Sequence, residues 1–366
     1  MSTWAIESAD VSVIQRGTRM KASGFAYKEP AAGFERIEYE LEPGQGDAVV
    51  KIAGCGLCHT DVGFYYGDVS PRHELPLVLG HEISGTVVEG PADLIGRNVV
   101  IPAVMPCGEC NLCKDGYAAS CRKQLMPGND GNGGFADHIC VPARDLAVLP
   151  DDLQGYALAD LSVIADAVTT PYQSILRSGL KPGDVAIVVG AGGIGTYGVQ
   201  IAKALGATVI AIDIDDDKLR RVSEHGADHT YNSKGSDSRT AKKAIKGIIK
   251  GAGLPSYGWK IFEMSGSASG QELAFKLIGP SATLAVVGFT MARIEVRLSN
   301  LMAFDARCFG NWGCLPSHYP AVIELVLSGK VTLKPFIKQN PLAKIGELFE
   351  LAHEGKLTER AILIPE

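Results

Sequence analysis

The sequence lacks an apolar run long enough to cross a bilayer. The stretch VAIVVGAGGIG, residues 185–195, is short and interrupted by glycine, whereas a membrane-spanning helix needs about 20 apolar residues. The amino-terminal MSTWAIESADVSV has neither the basic start nor the continuous apolar core of a signal peptide. These absences predict a cytoplasmic protein without a membrane partner.

The sequence also lacks a basic block, an internal repeat and a low-complexity tract. Its formal net charge of −6 over 366 residues argues against nucleic acid as a partner. The lysine-rich stretch 233–252 is predicted to be a helix with a solvated charged face. Hydrophobic residues make up 46% and charged residues 21%, as in globular proteins long enough for two domains with separate cores.

Two kinds of pattern divide the chain. Short strands between glycine- and proline-rich turns occupy about the first 150 residues, which predicts a mainly β, partly open barrel. From about residue 183, apolar strands alternate with helices, which predicts a parallel, doubly wound sheet. The predicted fold class is α/β, with a Rossmann-type domain over residues 168–310 and a mainly β catalytic domain built from residues 1–167 and 311–366.

A glycine-rich loop follows the first apolar strand of the alternating region. Gly190, Gly192 and Gly195 fit the pattern G-x-G-x-x-G, and Gly193 and Ile194 lie inside it. The motif alone is weak evidence for a cofactor site. Here, however, it follows a predicted strand and precedes a predicted helix, which is the arrangement that binds a dinucleotide pyrophosphate. A turn without a ligand and a flavin site are the alternatives, and the position of the motif in mid-chain disfavours the flavin.

The second strand of this unit ends at Asp213, and the residues that follow it are acidic. A carboxylate there accepts hydrogen bonds from ribose hydroxyls and repels a 2′-phosphate. Residues 214–217, Ile-Asp-Asp-Asp, add three negative charges and no arginine. The sequence therefore predicts NAD rather than NADP as the cofactor. Lys218 is also predicted to contact the cofactor.

Four of the nine cysteines lie within the stretch CGECNLCKDGYAASC. They are Cys107, Cys110, Cys113 and Cys121. Four thiolates at this spacing can surround one tetrahedral zinc ion, and an iron–sulfur cluster is the main rival. Because a closed shell of four thiolates leaves no open position, the predicted role of this lobe, residues 107–121, is structural.

A catalytic zinc ion needs three protein ligands and one open position. Cys58 in GCGLCHTD and His81 in LGHEISG are the first two candidates. Together with the cysteine lobe and GAGGIG, these motifs occur in the order of the zinc-containing medium-chain alcohol dehydrogenases, which the whole chain resembles. The resemblance implies two zinc ions per chain and places Asp166, six residues before Tyr172, where many members have a cysteine ligand.

The resemblance also assigns roles to the neighbours of these ligands. Asp61 is expected to orient His81, and Glu82 is expected to be an anion that can approach the metal. An alternative interpretation of Asp166 is that it caps a helix beginning near Val168.

The predicted proton acceptor is Thr60. Many members of the family pass the proton on through a histidine five residues after the ligand cysteine, but Gly63 stands there. The proton is therefore expected to leave through His59, the ribose hydroxyl or water. The implied reaction is transfer of hydride from a CH–OH carbon to NAD+ beside a zinc ion.

Several longer stretches carry a narrower resemblance: MPGNDGNGGFADH, VIADAVTTPYQ, GWKIFEMSGS, LSNLMAFDARCFGNWGC and RAILIPE. They resemble the 6-hydroxycyclohex-1-ene-1-carbonyl-CoA dehydrogenases of anaerobic benzoyl-CoA breakdown, which implies a cyclic hydroxy-enoyl-CoA ester as substrate and its 6-oxo ketone as product. A dehydrogenase of a simpler cyclic, benzylic or aliphatic alcohol, a zinc-independent reductase and a non-catalytic protein are the alternatives. The resemblance also implies a homodimer or homotetramer, with ARCFGNW as the candidate edge strand.

Overall fold

A computed structural model of the chain describes residues 20–366. The stretch MSTWAIESADVSV, used above for the signal-peptide prediction, lies outside these residues. Within the described range, no helix is long and apolar enough to cross a membrane.

Residues 20–366 form sixteen strands. Their bounds are β1 Met20–Tyr27, β2 Glu35–Leu41, β3 Asp47–Gly56, β4 Leu77–Val78, β5 Glu82–Glu89, β6 Asn98–Ile101, β7 His138–Pro142, β8 Ala147–Val148, β9 Val185–Val189, β10 Thr208–Asp213, β11 His229–Asn232, β12 Lys260–Glu263, β13 Thr283–Val286, β14 Arg307–Gly310, β15 Ile337–Pro341 and β16 Arg360–Ile364.

The same residues form ten α-helices. Their bounds are α1 His59–Tyr66, α2 Asn111–Lys114, α3 Thr169–Ser178, α4 Gly195–Ala204, α5 Asp216–Glu224, α6 Ser238–Gly251, α7 Ala268–Leu277, α8 Ser299–Ala303, α9 Tyr319–Leu327 and α10 Ile345–His353. Within the lysine-rich stretch 233–252, residues 238–251 form the predicted helix, α6, and residues 233–237 precede it.

The alternating region forms a six-stranded parallel sheet. Its strand order is β11-β10-β9-β12-β13-β14, which is the order of a doubly wound dinucleotide-binding sheet. Every residue of β9 is buried, because helices cover both faces of a parallel sheet. The predicted Rossmann-type fold is confirmed, and the strand order reverses between β9 and β12, where such sheets bind their ligands.

The remaining strands form two further sheets, one of three strands, β2-β1-β4, and one of seven. The larger sheet has the order β15-β16-β3-β5-β6-β8, and β7 pairs with β3. Strand β16 lies beside the end of β3, with Leu363 opposite Cys55. The C-terminal strand therefore returns to the sheet from which the Cys58 motif leaves. Cys55 is a buried residue of β3.

A short helix in the first part of the chain was missed. Strand β3 ends at Gly56, and α1 begins at His59 after two intervening residues, so the motif GCGLCHTD crosses from a strand into a helix. The helix sequence HTDVGFYY has no amphipathic period that would reveal it. Its first turn carries three of the predicted site residues.

A buried 3-10 segment, Leu158–Ala165, connects the two halves of the molecule. It packs against β3, β5 and β6 and belongs to an apolar core that continues into β9 and α4. The chain then passes through Asp166 into α3. The core therefore brings Asp166 close to the end of β3.

Candidate active site and metal centres

Asp61 ties together the start of α1 and the loop before β5. Its Oδ2 atom accepts a hydrogen bond from the backbone N–H of Cys58 at 3.0 Å. Its Oδ1 atom accepts one from the N–H of Gly80 and lies 3.1 Å from Nδ1 of His81. Both Asp61 and His81 are fully buried. This contact orients the imidazole so that Nε2 faces the pocket.

Cys58, His81 and Asp166 converge on one point. Oδ2 of Asp166 lies 3.7 Å from Sγ of Cys58 and 3.6 Å from Nε2 of His81. A tetrahedral zinc ion with bonds of about 2.0–2.3 Å separates its donor atoms by about 3.3–3.8 Å. The three side chains are therefore spaced to hold one zinc ion.

Two buried polar atoms in this pocket have no hydrogen-bond partner among the described residues: Nε2 of His81 and Oε2 of Glu82. The ligand atoms of His81, Glu82, Cys58 and Asp166 all lie within 4.8 Å of one another. Because an unpaired buried polar atom is costly, the free Nε2 indicates a site built for an ion. Burial raises the pKa of Glu82 to about 7, although the positive charge of Arg360 opposes this shift.

The aspartate is held by a hydroxyl group. Its Oδ1 atom accepts a hydrogen bond from Oγ1 of Thr170, and the residue that precedes helix α3 is Val168. No backbone N–H of the described helix donates to the Asp166 carboxylate, so the interpretation that Asp166 caps α3 is wrong. Burial alone would raise the pKa of Asp166, but its contacts with His81 and Thr170 lower it.

The predicted proton path begins beside the same cysteine. Oγ1 of Thr60 lies 3.7 Å from Sγ of Cys58. His59, in the same turn, is exposed. Partial loss of water contact and the positive charges of Arg360 and Lys218 lower the pKa of His59. The structure thus brings Thr60, His59 and Lys218 to the same side of the molecule.

The four cysteines of the lobe also surround a single point. Their Sγ atoms are 3.5–3.9 Å apart in the four contacts between them, and about 3.8 Å is the separation in a tetrahedral zinc site. Neither α2 nor the 3-10 turn at residues 118–120 buries a residue. All nine cysteines of the chain are free of disulfides. The lobe has no apolar interior, and the donor set fits a structural zinc ion.

The glycine loop has the close contacts that its motif predicts. A Cβ atom on Gly195 would lie 1.7 Å from the carbonyl oxygen of Gly190, so helix α4 can start there only with glycine. A Cβ on Gly192 would meet nothing within 4 Å, which leaves space on that side for a ligand. The close packing at Gly195 and the open space at Gly192 fit a pyrophosphate at the start of α4.

Asp213 lies beside this loop at the end of β10. Its Oδ2 atom accepts a hydrogen bond from the N–H of Ala191 at 2.6 Å, and Oδ1 accepts from Ile214 and Asp215. The carboxylate therefore fixes the glycine loop at the end of β10. Lys218 lies in the first turn of α5, which Asp215 caps.

Arg360, which no sequence motif predicted as a site residue, connects the two halves of the site. Nη1 of Arg360 donates to Oε1 of Glu82 at 2.7 Å. A Cβ on Gly193 would lie 2.7 Å from its Nη2 atom. The guanidinium therefore stands between the predicted metal pocket and the glycine loop. The only signal was a single charge at the start of the apolar strand RAILI.

Comparisons with known proteins agree with this architecture. Residues 44–151 match the family described as alcohol dehydrogenase GroES-like domain, and residues 193–328 match zinc-binding dehydrogenase. An alcohol dehydrogenase of Geobacillus stearothermophilus is 31% identical over 324 residues, 87% of this chain and 91% of that protein. An L-threonine 3-dehydrogenase of Thermococcus kodakarensis is 29% identical, over 92% of this chain and 96% of its own. The crystal structure of the Aeropyrum pernix alcohol dehydrogenase aligns with a TM-score of 0.83 and 26% identity, covering 94% of this chain and 100% of that chain.

A GroES-like sheet with a four-cysteine lobe, joined to a dinucleotide-binding sheet, defines a metal-dependent oxidoreductase. The chain belongs to the zinc-type medium-chain alcohol dehydrogenase family. It is a zinc-dependent oxidoreductase of the alcohol dehydrogenase type, and NAD is the cofactor typical of this family.

Proposed function

We propose that the chain oxidises a cyclic secondary alcohol with NAD+ at a zinc ion held by Cys58, His81 and Asp166. The observation that carries the proposal is the convergence of Sγ, Nε2 and Oδ2 of these residues, 3.6–3.7 Å apart in the two contacts to Oδ2. When bound, zinc supplies a positive charge that lowers the pKa of an alcohol hydroxyl. The second zinc ion belongs to the four-cysteine lobe and has a structural role.

The protein groups around the pocket position the reactants and move the proton. Asp61 keeps the His81 ring in place through Nδ1. Oγ1 of Thr60 accepts the proton of the alcohol and passes it to His59, to the ribose hydroxyl or to water. Arg360 holds Glu82 beside the pocket and faces the glycine loop. NAD+ bound at the glycine loop and Asp213 would supply the hydride acceptor, and the two halves of the protein would hold it against the substrate carbon.

The predicted cofactor is NAD rather than NADP. The support is Asp213 at the end of β10, followed by the exposed acidic residues Asp215, Asp216 and Asp217. A 2′-phosphate at this edge would face several negative charges, among them the carboxylate of Asp213.

The proposed substrate is 6-hydroxycyclohex-1-ene-1-carbonyl-CoA, and the product is its 6-oxo ketone. The support is the resemblance of five separate stretches, among them VIADAVTTPYQ with Asp166 at the third ligand position. Oxidation gives a conjugated ketone, which makes this alcohol easier to oxidise than an isolated one. A dehydrogenase of a simpler cyclic, benzylic or aliphatic alcohol is the alternative.

One assay separates these two substrates. The purified enzyme is mixed with NAD+ and either the CoA ester, the corresponding free acid, cyclohexanol or benzyl alcohol, and NADH absorbance is followed. The proposal predicts a kcat/KM for the CoA ester at least about a hundredfold above the others, equal to about 2.7 kcal/mol. Turnover of the free alcohols without turnover of the CoA ester would contradict it.

We further propose that the chain forms a homodimer or homotetramer in the cytoplasm. Strand β14 is the last strand of the parallel sheet, and an open edge is a template for a second copy. Leu298 and Met302, in and beside helix α8, are 68% and 78% exposed. Nine cysteines without a disulfide fit a reducing compartment.

A further inference from the structure

The two oxygen atoms of the Asp166 carboxylate have different surroundings. Oδ1 accepts a hydrogen bond from Oγ1 of Thr170. Oδ2 faces Sγ of Cys58 at 3.7 Å and Nε2 of His81 at 3.6 Å. Thr170 is buried, so its hydroxyl is shielded from competing water. The hydrogen bond therefore determines which oxygen points towards the other two donor atoms.

The distinction matters because a carboxylate can bind a metal ion through one oxygen or through both. A catalytic zinc site needs a position free for the substrate. A thiolate at the third position offers a single donor atom, whereas an aspartate offers two. The structure has to keep Oδ1 away from the ion if the aspartate is to act as a cysteine does.

The backbone before Asp166 is also fixed, but by different groups. The carbonyl oxygen of Ala165 accepts hydrogen bonds from Oγ1 of Thr169 at 3.0 Å and from the hydroxyl of Tyr319. Tyr319 in turn accepts a hydrogen bond from the N–H of Ala103. These contacts hold the main chain, so the remaining freedom of the carboxylate is rotation about its own side chain. The contact with Thr170 restrains that rotation.

We propose that Thr170 is a positioning residue that commits Asp166 to bind zinc through Oδ2 alone. The charge-assisted hydrogen bond to Oδ1 occupies the second oxygen and keeps the fourth position of the ion open for the alcohol. This inference rests on the proposed zinc site of Cys58, His81 and Asp166.

The test uses the full-length enzyme with zinc in the four-cysteine lobe and Co²⁺ in the second site. Coordination number governs the intensity and position of the visible absorption bands of Co²⁺. We expect Thr170→Val to weaken these bands, as a higher coordination number does, and to lower the affinity for Co²⁺ and Zn²⁺ by about 10–100-fold. Thr170→Ser keeps a hydroxyl and is expected to restore both the spectrum and the affinity.

Thr169→Val is the matched control. It removes a hydroxyl from the same helical turn, but that hydroxyl bonds the carbonyl of Ala165 and not the carboxylate. We expect the Co²⁺ spectrum of Thr169→Val to equal that of the wild type. If Thr170→Val fails to fold, Thr170→Ala is measured in the same way.

Two results would overturn the inference: a wild-type spectrum and affinity in Thr170→Val, or equal spectral changes in the Thr169 and Thr170 variants. Wild-type enzyme that takes up no second metal ion would instead contradict the proposed zinc site, and the inference would fail with it.

Discussion

The third ligand position of the proposed zinc site illustrates how one residue can change a site without changing its formal charge. Zinc with one thiolate and one carboxylate carries the same formal charge as zinc with two thiolates. As the third ligand of the proposed site, Asp166 would preserve the formal charge of a cysteine-containing site and would add a second oxygen atom that must be restrained. His81 and Thr170 both contact this carboxylate. At this position, the chemistry depends on the neighbours of the ligand as much as on the ligand.

Removing the charge of Asp213 should change the choice of cofactor. We expect Asp213→Asn to raise the ratio of kcat/KM for NADP+ to that for NAD+ by at least about tenfold, equal to about 1.4 kcal/mol. The reason is that the carboxylate no longer repels a 2′-phosphate. Steady-state kinetics with both cofactors measure this ratio. As a control, Asp217→Asn removes an exposed charge paired with Arg220 and should leave the ratio of the two kcat/KM values within a factor of about two. An unchanged ratio in the Asp213 variant would contradict the role of Asp213 in selecting NAD+.

At the scale of single elements, the cysteine lobe depends on metal more than any other described segment. Because it buries almost no apolar surface, its fold needs the zinc ion. We expect Cys110→Ser to lower the zinc content from two ions per chain to one and to expose residues 107–121 to limited proteolysis. The parallel sheet should stay resistant. Cys140→Ser is the control, because that cysteine lies on β7, outside the lobe. A protease-resistant lobe in the Cys110 variant would show that zinc does not hold it.

Strand β16 carries the Arg360 side chain into the centre of the molecule. Its Nη1 atom lies 2.7 Å from Oε1 of Glu82, and both side chains are buried, 6% and 0% exposed. Removing one partner of such a pair leaves a buried charge, which costs about 3–5 kcal/mol. We expect Arg360→Met to lower the free energy of unfolding by this amount in denaturant titrations.

The double variant Arg360→Met with Glu82→Gln removes both charges. It should recover part of the loss, because no unpaired charge remains. A loss below about 1 kcal/mol in the single variant would contradict this account of the ion pair.

At the scale of the whole molecule, the open edge of the parallel sheet should be covered by a second copy of the chain. We expect the paired substitutions Leu298→Glu and Met302→Glu to produce monomers in size-exclusion chromatography with light scattering, because they place like charges in the proposed contact. Ile95→Glu changes another exposed apolar residue, 53% exposed, far along the chain in the first sheet region. It should leave the oligomer intact. Monomeric wild-type protein would contradict the proposal.

The sequence alone predicted the features that depend on local spacing. The period of strands and helices predicted the parallel sheet, and the close spacing of four cysteines predicted the lobe. Arg360 and Thr170 were missed because their roles depend on contacts that no local pattern contains. Arg360 meets Glu82 across 278 positions of the chain. Thr170 is near Asp166 in sequence, but the sequence does not show that Cys58 and His81 lie against the other oxygen of the Asp166 carboxylate. The proposed positioning role of Thr170 depends on that arrangement.

The domain boundaries at residues 167 and 310 remain predictions from the change of pattern. The buried segment Leu158–Ala165 shows why a boundary there is hard to locate from sequence. It packs on the first sheet, yet it belongs to an apolar core that continues into the cofactor-binding sheet. A sequence pattern can predict a single helix or strand, but it does not show that this segment packs against both sheets.

The most direct measurement is anomalous diffraction at the zinc edge, from crystals of enzyme that is active before crystallisation. The proposed site predicts two peaks per chain. One should lie among the sulfur atoms of the lobe, and the other among Sγ of Cys58, Nε2 of His81 and Oδ2 of Asp166. A single peak in the lobe, from fully active enzyme, would contradict the proposed mechanism.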